Sequence, residues 1–248
     1  MALRRLRADL HIHTCLSPCG GLSMSPRAVA EAARAAGIDL IAVTDHNATG
    51  NAAAVAEAAG GAGPAVLPGI ELTTAEEIHL LGLFEAGTDL ARFQEEVYAQ
   101  LPEVPEKRKF VEDQVLVGAD DYVAGFDPHC LFGATLFPLR EAVALIHGHG
   151  GLAVACHVDR EAFSVLSQLG FIPPGLELDA VEVSPRLTVA EALRTLGPFG
   201  PLPVVRFSDA HEPGEIGRAV TDILAAAPSL AELRLALAGR DGRKVLPS

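Results

Sequence analysis

The chain alternates short apolar runs with Ala-rich amphipathic stretches, and that alternation predicts strand and helix in turn. Leu10 to His13 reads as a first strand. Ser25-Pro26 then sets a capping hydroxyl before a proline at the first helical position, and RAVAEAARAAG continues as a helix that stops at Gly37. Asp39 to Val43 is a short apolar strand of the kind buried on both faces, Ala52 to Ala59 a second helix closing in GGAGP, and Ala65 to Ile70 a third strand running into Glu71. A β-α-β-α-β opening with short connections predicts parallel pairing and right-handed crossovers.

Glu77 to Phe84 reads as a strand carrying His79, and Leu90 to Leu101 as a helix. The rhythm then breaks into Pro-Glu-Val-Pro, the charged patch EKRK, and QVLVGADDYVAGF, which predicts a β-hairpin turning at Ala119-Asp120-Asp121. Residues 102–135 are too short for a core of their own, so they are expected as an insertion in a single domain spanning 1–248. Beyond it come helix 139–147, strand 152–156 ending at His157, helix 161–168, strand 180–183, helix 189–196, strand 204–207 and a last helix 230–238.

The 248 residues can bury about three quarters of the surface they expose when unfolded, so no staples are required. The formal net charge is −13, with no long basic run and no Trp, which argues against long nucleic acid as a partner. A small phosphorylated substrate stays possible, because bound divalent ions reverse the local field. No run without Asp, Glu, Lys or Arg exceeds 17 residues, and one of that length, Ala142 to Val158, holds three histidines and three glycines, so no membrane span is expected. Cys15, Cys19, Cys130 and Cys156 form no C-x-x-C pair and, with no secretory signal, imply reduced thiols in a cytoplasm.

Candidate chemistry gathers at one kind of position. His11, His13, His46, Glu71, His157, Asp209 and His211 all fall at or just past the carboxyl ends of expected strands, which share one face in a parallel βα barrel. Two histidines at alternate strand positions leave the same face and suit one metal ion. Each residue has a plainer reading: His46 as a helix cap, Glu71 and Asp209 as ordinary loop acids, His79 as a core histidine. Independent structural roles would not repeat at equivalent points of successive strands. So many N and O ligands suit two or three ions, with a carboxylate such as Glu71 shared by a pair. His147 and His149, at a helix C-terminus, are left out, His129 lies beyond the hairpin, and Ser17 lacks a nucleophile elbow.

DLHIHT, VTDHN, GIEL with EIHLLG, ACHVDR and FSDAH resemble, in order, the motifs of the polymerase and histidinol phosphatase superfamily of metal-dependent phosphoesterases, from residue 9 to residue 211. The middle of the chain further resembles a subgroup of stand-alone bacterial members. The resemblance implies an α/β fold, a distorted TIM-like (β/α)7 barrel, and a cleft holding two or three Zn, Mn or Fe ions. It implies that His11, His13, Glu71 and Asp209 surround a first ion, Glu71, His79 and His157 a second, and His46 and His211 a third. Many members carry Asp or His five or six residues after the second histidine, where this chain has Pro18 and Cys19. Cys19 is expected either as a thiolate ligand of the third ion or as the mark of a weak third site.

The implied reaction is hydrolysis of a phosphate ester on a small metabolite or nucleotide by a metal-held hydroxide. Asp45 is expected to orient a ligand, and Arg160 and Arg186, each following a strand, are candidates to grip phosphate. Two rivals are an amidohydrolase-like enzyme using the same ions and a non-catalytic metal-binding regulatory module.

Overall fold

The computed structural model describes residues 2–102 and 114–247. Its main sheet has nine strands: β1 (Arg4–Ile12), β2 (Leu40–Val43), β3 (Ala65–Thr73), β4 (His79–Leu83), β7 (Leu152–Ala155), β8 (Ala180–Val183), β9 (Val204–Arg206), β10 (Thr221–Ala225) and β11 (Lys244–Val245). Their spatial order is β11-β10-β1-β2-β3-β4-β7-β8-β9. The sheet curls until the chain beyond β9 returns to β1, where Ile12 bridges Ala210 and His13 N donates to Ala210 O (3.0 Å). Asp9 holds this seam, accepting from Ser208 N (2.9 Å) and Gly217 N (2.8 Å). The result is a nearly closed, distorted α/β barrel.

Helices α1 (Pro26–Ala35), α2 (Ala52–Ala59), α3 (Ala91–Tyr98), α4 (Leu139–Gly148), α5 (Val165–Leu169), α6 (Val189–Leu196) and α7 (Leu230–Leu237) accompany the strands. Ser25 caps α1 as expected, its hydroxyl accepting from Ala28 N. Strand side chains alternate between two layers, as a period of two requires. Leu40 and Ala42 of β2 join one apolar cluster with Leu6, Ala8 and Leu10 of β1, whereas Ile41 and Val43 pack with Val29 of α1 and Val55 of α2.

Three features depart from the expected parallel βα series. β4 runs antiparallel to both β3 and β7, because only Thr74 to Ile78 separate it from β3, too short a link for a crossover. Its first residue, His79, therefore lies at the same end of the barrel as the last residues of its neighbours. β10 pairs antiparallel with β1 and was not anticipated; its sequence TDILA carries too little apolar pattern to distinguish it from loop. The helix expected from 161 starts at Val165, after the Ser164 cap.

The hairpin is observed as β5 (Val115–Val117) and β6 (Val123–Phe126), a separate two-stranded sheet turning where Asp121 adopts φ 65°. The EKRK patch and most of Pro-Glu-Val-Pro lie outside the described residues. No helix among the described residues is long and apolar enough to cross a membrane.

Candidate metal centre

The first strand changes face where it enters the site. Leu6, Ala8 and Leu10 point into the barrel, but the register of β1 against β2 shifts between Asp9 and Ile12, and Ile12 packs outward with α1. Such an irregularity re-aims side chains, and here it turns the odd positions, His11 and His13, toward the barrel's open end. Both rings are fully buried.

Each ring has one nitrogen committed to the protein. His11 Nδ1 meets both oxygens of Glu182, at 3.1 and 3.0 Å. His13 Nδ1 lies 2.8 Å from Ser17 Oγ, whose own proton goes to Asp45 Oδ1 (2.7 Å), so the imidazole is the donor. Asp45 thus reaches His13 through Ser17, and its remaining capacity is filled by Thr14 N and Thr14 Oγ1, both at 2.7 Å. In the neutral rings this leaves the Nε2 lone pairs of His11 and His13 facing inward, and neither Nε2 has a hydrogen-bond partner.

Those two atoms converge on carboxylates. His11 Nε2 is 3.3 Å from Glu71 Oε1 and 3.4 Å from Asp209 Oδ1, and His13 Nε2 is 3.3 Å from Glu71 Oε2 and 3.2 Å from Asp209 Oδ1. On the far side of Glu71, His79 Nδ1 (2.8 Å) and His157 Nε2 (3.2 Å) face Oε1, while His46 Nδ1 (3.1 Å) faces Oε2. Five imidazoles around one buried carboxylate is more than hydrogen bonding satisfies, and His79 Nδ1 lies close to Glu71 without hydrogen-bond alignment. Coordination has a different appetite: lone pairs and carboxylate oxygens pointing at a common space are what divalent ions require.

Among the described residues, four candidate ligand sets have atoms within 4.8 Å of one another: His11, His13 and Asp209; His46, Glu71 and His79; His11, Glu71 and Cys156; and His13, Cys19, His46 and His211. In the last set His211 Nε2 lies 3.0 Å from Cys19 Sγ, and the His211 ring stacks on His13 with centroids 4.3 Å apart.

The electrostatics ask for cations. Burial disfavours an ionised Glu71, but the charges of His79, His11 and His46 outweigh it and hold the carboxyl well below the usual range. Burial likewise works against a charged His13, yet the facing carboxylates of Asp209 and Glu71 raise it to about 9. Loss of surrounding water and the carboxylates of Glu71, Asp45 and Asp209 push the Cys19 thiol up. A divalent ion supplies the positive charge that these protons otherwise provide, and releases them on binding.

The backbone at the site is strained. Asn47, His157 and Asp209, each just past a strand, adopt φ of 49°, 27° and 49°. Asn and Asp tolerate that region, whereas His157, at φ 27°, lies outside the usual left-handed well and is held there by its surroundings. Asn47 is clamped by Thr73 N on its oxygen and by the carbonyls of Leu131 and Gly133 on its amide, tying the loop after the hairpin to the strand-end carrying His46.

Of the residues singled out in the sequence, His11, His13, His46, Glu71, His79, His157, Asp209 and His211 come together, with Cys19 at the rim. Arg160 pairs with Asp209 at the edge of the cluster. Arg186 is exposed in the turn after β8, and among the described residues no ion pair joins it to the cluster. His147 pairs with Asp179 and His149 with Glu96, both apart from the centre. Three participants escaped sequence reasoning. Glu182 is the one charged residue of the buried strand AVEV, a signal that was available. Ser17 and Cys156 carry no such signal, because neither residue type is unusual in its segment.

Residues 9–128 match the PHP domain. The chain carries a PHP domain. The matched stretch holds the motifs DLHIHT, VTDHN and GIEL with EIHLLG. Among solved structures, the PHP chain is similar to the lesion-specific endonuclease EndoQ from Pyrococcus furiosus, with TM-score 0.71, 17% identity, and coverage of 98% of this chain and 58% of that one. A second Endonuclease Q structure, bound to a 27-mer duplex with an abasic lesion at its active site, gives TM-score 0.70 and 16% identity over 98% of this chain and 58% of that one. An amidohydrolase from Chromobacterium violaceum with bound sulfate gives TM-score 0.59 and 21% identity, covering 86% and 90% of the two chains. The chain spans only 58% of the length of the EndoQ chains. No curated protein matches it.

The EndoQ complex corrects the expectation that long nucleic acid is excluded, since a barrel of this fold is seen on a DNA duplex. Net charge was the wrong measure. Asp9, Asp45, Glu71, Glu182 and Asp209 are all buried and face histidines, hydroxyls or backbone amides rather than solvent, so they overstate the repulsion a polyanion would meet.

Proposed function

We propose that this PHP chain hydrolyses phosphate esters at a centre of two or three divalent transition-metal ions. His11, His13, Glu71 and Asp209 hold the first, Glu71, His79 and His157 the second, and His46, His211 and Cys19 the third. The carrying observation is that His11 and His13 direct their Nδ1 edges to Glu182 and Ser17 and leave orphaned Nε2 atoms on Glu71 and Asp209. Bound ions supply the Lewis acidity that makes water nucleophilic near neutral pH and offsets phosphoryl charge.

The chain's own residues set the stage for that chemistry. Glu182 and the Asp45–Ser17 pair fix ring orientation and tautomer, so the histidines need no rearrangement to bind. Arg160 is part-exposed and paired with Asp209, which supports reading it as the donor to a phosphoryl oxygen. Cys15 and Cys156 are buried thiols outside any disulfide, which supports our reading of a reducing cytoplasmic compartment. The whole chain is read as one domain with its insertion over 102–135.

The test is a panel of esters assayed with Mn, Zn or Fe: sugar phosphates, nucleoside monophosphates, diesters, and a duplex oligonucleotide with an abasic site, with an amide substrate alongside. Phosphate release that chelation abolishes is the expected result. Cleavage of the amide alone, or of nothing with any ion, overturns the proposal.

A further inference from the structure

The loop after β7, HVDREAFS, carries three side chains to the centre. His157 faces Glu71, Arg160 pairs with Asp209, and Phe163 stacks on His79 with ring centroids 4.6 Å apart and planes 19° from parallel. The first two have roles in the reading above. Phe163 does not, and its situation is costly in two ways. Its φ is 57°, a region bulky residues avoid, where strain of about 1–3 kcal/mol is typical. The residue is 43% exposed, in the range of Phe132, Phe171 and Phe126 rather than of the buried Phe84, Phe93 and Phe207.

The loop is built to hold that ring still. Phe163 O accepts from His79 N (2.9 Å), fixing the backbone on the strand that bears the ligand. Ser164, the next residue, is wholly buried; its hydroxyl donates to Arg160 O (2.8 Å), and Ser167 closes a capping box with it. A strained, anchored backbone presenting a half-open aromatic face beside a metal ligand is a preorganised surface, and the group that complements such a face is another planar π-system.

We infer that Phe163 is a stacking platform for an aromatic group carried by the ester, so that the centre prefers nucleoside or aryl phosphates to alkyl phosphates. The inference rests on the phosphoesterase reading. Arg160 and the ions engage the phosphate, and the base or aryl ring lies on the face of Phe163 away from His79. Leu at this position would cover His79 as well as Phe does, but would not stack.

The test uses the metal-loaded full chain and the variants Phe163→Leu, Phe163→Ala and Phe163→Tyr. For AMP and phenyl phosphate, Phe163→Ala is expected to raise KM about 5- to 150-fold, the range for losing one base–aromatic stack, with kcat little changed. Glycerol 3-phosphate should be unaffected, metal content should hold, and Phe163→Tyr should retain the preference. Adenosine should show saturation-transfer NMR signals with the native protein and lose them with Phe163→Leu. A larger effect on a 5′-phosphorylated oligothymidine than on AMP identifies a polymer end as the natural ligand, and the converse a free nucleotide; both uphold the platform. Equal losses on all esters, or loss of metal in Phe163→Leu, overturn it in favour of simple shielding of His79. If no ester is hydrolysed, the phosphoesterase reading fails, while the adenosine measurement still decides the role of Phe163.

Discussion

Glu182 grips the Nδ1 edge of His11 with both carboxylate oxygens, and one of them also accepts from His157 N (3.3 Å). One buried acid therefore orients a ring on β1 and the backbone of the loop after β7, two segments far apart in sequence. Replacing Glu182 by Ala should lower metal affinity about 10- to 100-fold, the usual penalty for losing a partner behind a ligating histidine. Titration of metal-free protein with Zn, followed by a chromophoric chelator, reads this directly. Unchanged affinity would leave Glu182 a packing residue.

Glu71 offers one oxygen to His11, His79 and His157 and the other to His13 and His46. Glu71→Gln keeps the shape and removes the charge, and a neutral amide is a poor ligand between two cations. The expected outcome is loss of at least one ion per chain by elemental analysis, together with most of the activity. Full occupancy and turnover in this variant would remove Glu71 from the site.

Cys19 is held by a tight turn in which Gly20 N donates to Ser17 O, and a Cβ on Gly20 would come within 2.1 Å of Thr14 O. Cys19→Ala should cost about one ion per chain and abolish the thiolate-to-metal charge-transfer absorption of the Co-substituted protein. Gly20→Ala should produce the same spectroscopic loss through the backbone, with destabilisation of about 1–3 kcal/mol. Retention of three ions in Cys19→Ala would make the sulfur a packing group.

Tyr98 donates to the buried Asp127, whose other oxygen faces His129, and the Tyr98 and His129 rings stack with centroids 3.7 Å apart. Burial and then Asp127 push the phenol's pKa up, so it stays a donor across the working pH range. Tyr98→Phe leaves a carboxylate with one partner fewer and should cost about 1.5–3 kcal/mol in urea unfolding, with metal content unchanged. A neutral result would show that water replaces the phenol.

The chain announced its chemistry more clearly than its connectivity. The histidines and acids at strand ends stood out as candidates because the residue types able to ligate a metal are few and conspicuous beside runs such as LIAV and LAVA. Strand direction has no such marker. HLLGL reads the same whether β4 runs with or against its neighbours, so the reason His79 starts a strand at the ligand face emerged only from the fold. The support behind the ligands was harder still: Glu182 was visible as an acid in an apolar strand, but its target, His11, is 171 residues away. Ser17 looks like any loop serine until Asp45 and His13 are placed on either side of it.

The seam between β1 and the residues after β9 also sets an order of events in the cell. Asp9 binds Ser208 across 199 residues, and His11 meets Asp209 beside it. At about 5–20 residues per second, the ribosome exposes the first two histidines roughly 10–40 s before it delivers the acid that completes their set. During that interval they emerge as accessible imidazole donors with no barrel around them. Under the metal reading proposed above, the nascent chain would either meet its ions late or be guarded from wrong ones early, so that metal supply during synthesis, as much as affinity afterwards, would determine what the finished site contains.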